Sequence, residues 1–361
     1  MEANQGLFLL HLLQFPRRYQ SRMMRRLAGK GYTDLRLSYS PVIAELARGR
    51  LRPTELAARL GMQKQNCVQL VRRIESAGYI ERVADPQDGR SRLLGLTGRG
   101  ATLVRDGVSV VAELDAQLSA VAGLDAFNAF VGALQRLQQA VCTQTADIRD
   151  TPPLGALINA LIQLAGHAGT ELNALVRARG YPEIRPAHEQ VLLHLGEGRV
   201  RMQDIAREND VSRQAVSALV NELQSLGFIR LDVDPRDARG RIIRLTEQGN
   251  TLVACSAEVG QAFLQQYIAV VGTAGLNDMA STLAALYAHL AAPSDTAPAA
   301  GAGRALDVVR FVLAHFGVSD EQAVALLNSG THDRAGLYAR LNRDVGEDAV
   351  ADFEKLLARL R

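Results

Sequence analysis

The feature that most constrains this chain is that it repeats itself without a gap. Asp85-Pro86 recurs 149 residues later as Asp234-Pro235, and the same offset carries Leu96-Thr97 onto Leu245-Thr246 and Gly100 onto Gly249. It also maps Gly31-Tyr32 onto Gly180-Tyr181, Gln65 onto Gln214 and Leu70-Val71 onto Leu219-Val220. Turn residues match as well as apolar ones, which chance similarity between amphipathic helices does not produce, so a duplication is read before any other feature. The expected organisation is one domain over residues 1–148 and a second over 149–292, each long enough to bury its own core. Residues 293–303 have linker composition. Residues 304–361 read as a small helical module, either a protein-contacting unit or a cap on the repeats.

Within each copy the periodicity predicts a long first helix (7–29 and 154–179) and a shorter one (40–48 and 186–195). Two helices separated by a tight turn follow, at 54–60 and 64–77 in the first copy and at 203–208 and 213–226 in the second. Ser212 stands where an N-cap is wanted, and Gly78 and Gly227 where a left-handed helix stop is wanted. Two strand-like runs (79–84 with 91–96; 228–233 with 241–245) flank Asp-Pro-Gln-Asp-Gly-Arg and Asp-Pro-Arg-Asp-Ala-Arg, whose turn formers predict a hairpin. Thr97 and Thr246 then cap further long helices. The fold class is mainly α with small β wings: tandem winged helix-turn-helix domains, with the terminal helices of one copy packed on those of the other as an intramolecular pseudo-dimer, plus the helical tail.

The formal net charge of +3 is too small to identify a nucleic-acid binder, so the placement of charge has to carry that argument. Cys67, Cys142 and Cys255 form neither a C-x-x-C pair nor a metal cluster with histidines, which fits a reducing cytosol and no metal or other cofactor. The apolar start, Leu7 to Leu13, is short and interrupted by His11, so neither a signal peptide nor a membrane span is expected. With no nucleophile elbow, phosphate-binding glycine loop or metal motif, an enzyme is not expected either.

The hairpin motif, Asp-x-x-Asp-x-Arg, then a strand, then Leu-Thr-x-x-Gly, resembles that of the MarR family of bacterial transcription regulators. It occurs twice, as Asp85, Asp88, Arg90 with Leu96 to Gly100 and as Asp234, Asp237, Arg239 with Leu245 to Gly249. The resemblance covers residues 5 to 291. A second arginine is common in that loop, whereas this chain has Gly89 and Ala238, so each wing tip is thinner in charge. The resemblance implies a cytoplasmic, sequence-specific binder of double-stranded DNA, a repressor released by a small aromatic or anionic effector. A winged-helix interaction scaffold without specific DNA binding is the alternative. It also implies that Arg90 and Arg239 reach minor grooves, oriented by Asp88 and Asp237.

In a helix-turn-helix the first part of the second helix faces base edges. Gln63, Lys64, Gln65, Asn66 and Gln69 are the base-reading candidates of the first copy, and Ser212, Arg213, Gln214 and Ser217 those of the second; amides suit adenine and arginine suits guanine. Arg52, Arg92, Arg201 and Arg241 are candidates for phosphate contact. Because Asn66 and Gln69 face Ala215 and Ala218 across the repeat, an operator with unequal half-sites about 34–36 Å apart is expected. The basic run Arg17, Arg18, Arg22, Arg25, Arg26 and Lys30 is replaced in the second copy by Gly166, His167, Glu171, Ala174, Leu175 and Arg179; phosphate contact, an anion pocket and a solvated face all remain open. His11, Tyr19, Arg22, Tyr39, His167 and His188 lie in segments able to line an effector pocket. Cys67, matched by Val216, reads as a core position rather than a redox sensor.

Overall fold

The computed structural model describes residues 3–85, 88–142, 155–195, 200–209, 211–234 and 237–291, without the side chains of 3–6, 88–91, 208–209 and 237–239. The tail and linker, 292–361, lie outside the described residues. The elements of the first copy are α1 (Ala3–Gly29), a 3-10 turn (Leu37–Tyr39), α2 (Ser40–Ala47), α3 (Pro53–Arg59), α4 (Lys64–Ser76), β1 (Ile80–Asp85), β2 (Asp88–Leu96), α5 (Gly98–Ala122) and α6 (Leu124–Val141). Those of the second are α7 (Ala156–Ala178), a 3-10 turn (Pro186–His188), α8 (Glu189–Leu192), α9 (Met202–Asn209), α10 (Arg213–Ser225), β3 (Ile229–Asp234), β4 (Asp237–Leu245) and α11 (Glu247–Ala291).

Both copies end on the same backbone device. Gly123 separates α5 from α6 at φ 83°, and Gly272, its repeat mate, breaks α11 at φ 76°. A left-handed φ is nearly free for glycine and costs other residues roughly 1–2 kcal/mol, so the corner sits at a glycine in each copy.

Two compact units result: Gln20–Asp115, and the described residues of Met1–Tyr19 with Ala116–Arg361. The first holds the winged body of copy one. Its core is Val42, Ile43, Leu46, Leu56, Cys67, Val71, Ile74, Tyr79, Ile80 and Leu94, all buried. β1 and β2 pair antiparallel, Ile80 opposite Leu96, with a bulge after Ala84, and Leu51 adds a short third rung through mutual backbone bonds to Leu94 at 3.2 and 2.8 Å.

The second unit holds the winged body of copy two and the arm helices of both copies. The body packs Ile184, Val191, Ile205, Val216, Val220, Leu223, Phe228 and Ile243 into one cluster. The β3–β4 pairing repeats the first sheet, bulge included, with Val200 bridging to Ile243. The arms are joined by α6, α7 and α11, and the start of α1 enters the same core through Phe8, Leu12 and Phe15, all fully buried. The Phe8 ring meets the Tyr267 ring edge-on at 6.3 Å. The apolar start of the chain is therefore covered by helices of the opposite repeat. No single described helix is long and apolar enough to cross a membrane.

Candidate nucleic-acid interface

Local chemistry ties the second helix of each helix-turn-helix to the helix that follows the wing. Thr97 Oγ1 donates to the Gly78 carbonyl at 2.7 Å and accepts from the Gly100 N–H at 3.0 Å, tying the end of the α4 turn to the start of α5. Thr246 does the same with Gly227 and Gly249, at the same two distances. A Cβ on Gly100 would run into the Tyr79 carbonyl, and one on Gly249 into that of Phe228. Leu-Thr-x-x-Gly is thus a junction in which a threonine caps a helix and a glycine lets the backbone pass. The stops after α4 and α10 are Gly78 and Gly227, at φ 76° and 82°. Ser212 caps α10 by accepting from Ala215 N–H at 3.1 Å, whereas Gln63, at the same place before α4, makes no side-chain cap.

Three inward residues seven apart or fewer fix the orientation of α4: Cys67, Val71 and Ile74 are buried. The opposite side is left to Lys64, Gln65, Asn66 and Gln69, and Gln63 just before them is exposed as well. In α10 Val216, Val220 and Leu223 are buried, leaving Ser212, Arg213 and Gln214 exposed and Ser217 half-buried. The base-reading candidates of each copy therefore share one solvent face of one helix. Arg213 also borders a groove with Gln203, Ala206, Arg207 and Val211. Burial pushes the Cys67 thiol up, away from the reactive thiolate.

The arginines divide. Arg92 and Arg241 are exposed on the second strand of each wing. Arg52 instead sends Nη2 and Nε to Asp85 Oδ2 at 2.7 and 3.1 Å, and Asp85 is buried at the bulge. Arg201 and Asp234 repeat the pair, with Nε at 2.7 Å. The first aspartate of each wing motif thus holds an arginine from the start of the helix-turn-helix, bracing wing against helix. The side chains of Asp88, Arg90, Asp237 and Arg239 lie outside the described residues.

The effector-pocket candidates are divided between the two units. His11 stacks on Tyr287 at 4.5 Å, and burial and Arg18 push its pKa down. His167 faces Phe263 at 6.0 Å, and Tyr19 is fully buried beside Phe15. His188 is also fully buried, accepting the Arg185 N–H on Nδ1 at 3.3 Å with Nε2 3.4 Å from Glu222 of α10. Tyr39 and Arg22 are buried in the other unit. The basic run is largely engaged by the protein: Arg26 pairs with Glu113, Lys30 with Asp106, and Arg18 lies over the Tyr287 ring at 4.6 Å.

One network escaped the pattern reading. Tyr79 donates to Asp34 Oδ1 at 2.7 Å, Arg99 Nη2 donates to the same oxygen at 2.9 Å, and the guanidinium lies 4.6 Å over the Tyr79 ring. The second copy has Glu183, Phe228 and Gln248 at these places. Asp34 and Arg99 are 65 residues apart, and only the polar residues at matched positions of the repeat signal the difference.

Two helix-turn-helix bodies, each with a β-hairpin wing and each feeding helices into a shared arm core, define a tandem winged-helix protein. Residues 33–91 and 184–240 both match the model of the MarR family, so the chain holds two segments similar to that family in tandem. A comparison with curated proteins finds no match. Among solved structures, CouR from Rhodococcus jostii RHA1 bound to p-coumaroyl-CoA is similar at 23% identity over 37% of this chain and 93% of its own, with a TM-score of 0.30. Sco3205, a MarR family transcriptional regulator from Streptomyces coelicolor in complex with DNA, is 21% identical over 33% of this chain and 77% of its own, at 0.28. RV1404 from Mycobacterium tuberculosis is 15% identical over 42% and 99%, at 0.33.

Proposed function

We propose that the chain is a cytoplasmic, sequence-specific transcription regulator of double-stranded DNA, a repressor whose two reading helices address unequal half-sites from one polypeptide. The observation that carries this reading is the matched presentation of α4 and α10: each lays a polar, hydrogen-bonding face to solvent beside a braced wing, and the faces differ in sequence. Lys64, Gln65, Asn66 and Gln69 offer cationic and amide donors, whereas Arg213, Gln214 and Ser217 offer a guanidinium and small polar groups. Arg92 and Arg241 take phosphates, and Arg90 and Arg239 take the minor grooves. Arg52 and Arg201 act through the wings they brace. Release by a small aromatic or anionic effector is part of this reading, supported by arm cores that carry buried His11 and His167 nitrogens without a hydrogen-bond partner. The tail contacts a protein partner.

The test is selection of bound duplexes from a random pool, followed by base-by-base substitution of the selected site. Two half-sites with different base preferences, centred about 34–36 Å apart, are expected. A perfect palindrome with equal penalties in both halves overturns the unequal-half-site reading, and recovery of no preferred sequence favours a winged-helix scaffold.

A further inference from the structure

The repeat makes each copy a control for the other, and one pair of positions changes charge. In copy two Arg185, just before the Pro186–His188 turn, pairs with Glu222 of α10, and buried His188 stands 3.4 Å from the same carboxylate. Against desolvation, which acts the other way, His188 first and Arg185 after it hold the Glu222 carboxyl below its usual range. The corresponding residues of copy one are Arg36, Tyr39 and Arg73. Two arginines occupy positions that form an ion pair in the other copy. Both are exposed, and neither side chain makes an ion pair or hydrogen bond with another described residue.

The neighbouring position reinforces the contrast. Arg72 of α4 is exposed and faces away from buried Cys67, Val71 and Ile74, in helical register with Gln65 and Gln69, whereas copy two has Asn221. The acid of α4, Glu75, is drawn aside by Arg82 of β1 at 3.0 Å. Among the described residues, the Arg36, Arg72 and Arg73 side chains of copy one therefore have no ion-pair partner, while copy two pairs Arg185 with Glu222. Like charges at the positions where copy two holds an ion pair repel, and an anion between them removes the repulsion and gains charge-assisted bonds.

We propose that Arg36, Arg72 and Arg73 form a backbone-phosphate site present in copy one alone, so that copy one grips duplex DNA more strongly than copy two, beyond the wing arginines Arg92 and Arg241 that both copies carry. This rests on the DNA-binding reading above. It assigns three residues to phosphate contact and makes the grip unequal.

The experiment measures binding of the full chain to a mixed-sequence 40-base-pair duplex by fluorescence anisotropy across a salt series. Each phosphate contact contributes roughly 0.9 to the slope of log K against log salt. Arg36→Gln with Arg73→Gln should lower that slope by about 1.8 and weaken binding at least tenfold at low salt, with unchanged thermal unfolding. Arg185→Gln with Glu222→Gln should leave the slope unchanged. Arg73→Glu, which installs the copy-two pair, should raise thermal stability and lose the slope as well. Equal slope losses in both copies, or none from the copy-one variants while the parent chain binds steeply, overturn the inference and leave the DNA-binding reading standing. Absence of any binding by the parent chain overturns that reading itself. A thermal shift by inorganic phosphate that the copy-one double variant abolishes, with no change in DNA slope, assigns the site to a free anion and also overturns the proposal.

Discussion

Gln138 Nε2 donates to Gln163 Oε1 at 2.7 Å, joining the last helix of the first repeat to the first helix of the second. The repeat mates of these residues, Tyr287 and Gln14, make the reciprocal bond, hydroxyl to amide oxygen. This exchange of partners is the mark of a two-fold interface: residue i of one half meets j of the other, and j meets i. Here both halves belong to one chain. The repeats have kept the geometry of the contact while letting its chemistry diverge, amide to amide on one side and phenol to amide on the other.

A chain that satisfies its own two-fold interface needs no second copy to do so. Sedimentation at micromolar concentration should therefore return a single species at the chain mass of 39.0 kDa. A species of twice that mass that dissociates on dilution would show that the arms still present an unsatisfied surface. Gln163→Ala should leave the mass unchanged and cost roughly 1 kcal/mol in urea unfolding, since Gln138 then loses its partner.

The Thr97 and Thr246 junctions make a paired prediction. Thr97→Ala removes a helix cap and should cost about 1 kcal/mol, and Thr246→Ala should cost the same. Gly100→Ala should be worse, about 2–3 kcal/mol, because its methyl meets the rigid Tyr79 carbonyl rather than a side chain that can turn aside. Urea unfolding followed by amide exchange in β1 and β2 checks both. A Gly100→Ala protein as stable as Thr97→Ala would mean that the backbone there yields at little cost.

The caps, helix stops and hairpins were readable because their causes are local, unlike the bond from Thr97 to Gly78, which spans 19 residues. A cap, a left-handed glycine and a bulged hairpin each use residues within a few positions of one another, and the unbroken offset doubled every such signal. The Arg52–Asp85 and Arg201–Asp234 pairs span 33 residues, so the arginines read as candidates for phosphate while the fold commits them to the wing. The same holds for Arg26, Lys30 and Arg18 on α1: a basic run in sequence is a set of partners once Glu113, Asp106 and Tyr287 are brought to it. Long-range polar pairing carries no periodicity, and only the three-dimensional register assigns it.

Asp34 gives copy one an acid-sensitive contact that the matched residues of copy two, Glu183, Phe228 and Gln248, do not repeat. The Tyr79 hydroxyl first, and Arg99 after it, hold the Asp34 carboxyl below its usual value. A carboxylate depressed in the folded state stabilises above its unfolded pKa, and that contribution is lost as pH falls through the folded one. Acid should therefore loosen the body around Tyr79 in amide exchange, and Tyr79→Phe should remove much of that pH dependence while costing roughly 1 kcal/mol at neutral pH. Equal acid sensitivity in Tyr79→Phe and the parent chain would mean that other carboxylates govern it.

Glu189 runs the other way. It opens α8 beside His188, and its Oε2 lies 3.9 Å from where a side chain at Gly169 would begin, with Leu13 Cδ2 3.7 Å from the same point. Burial in that niche pushes its pKa up to about 7, and Arg17 of the opposite repeat pulls it back only in part. For a carboxyl raised in the folded state, the folded protein holds the proton more tightly than the unfolded chain, so stability falls as pH rises from the ordinary carboxyl range towards 7 and then levels off. Glu189→Gln should accordingly raise the melting temperature of the second unit at pH 8, and the gain should shrink steadily as pH is lowered to 5. Arg17→Ala removes the opposing charge and should steepen the dependence in the parent background. A Glu189→Gln gain that is the same at pH 5 and pH 8 would mean that the carboxyl ionises freely where it sits, and that Arg17 and the Gly169 niche place no constraint on its charge.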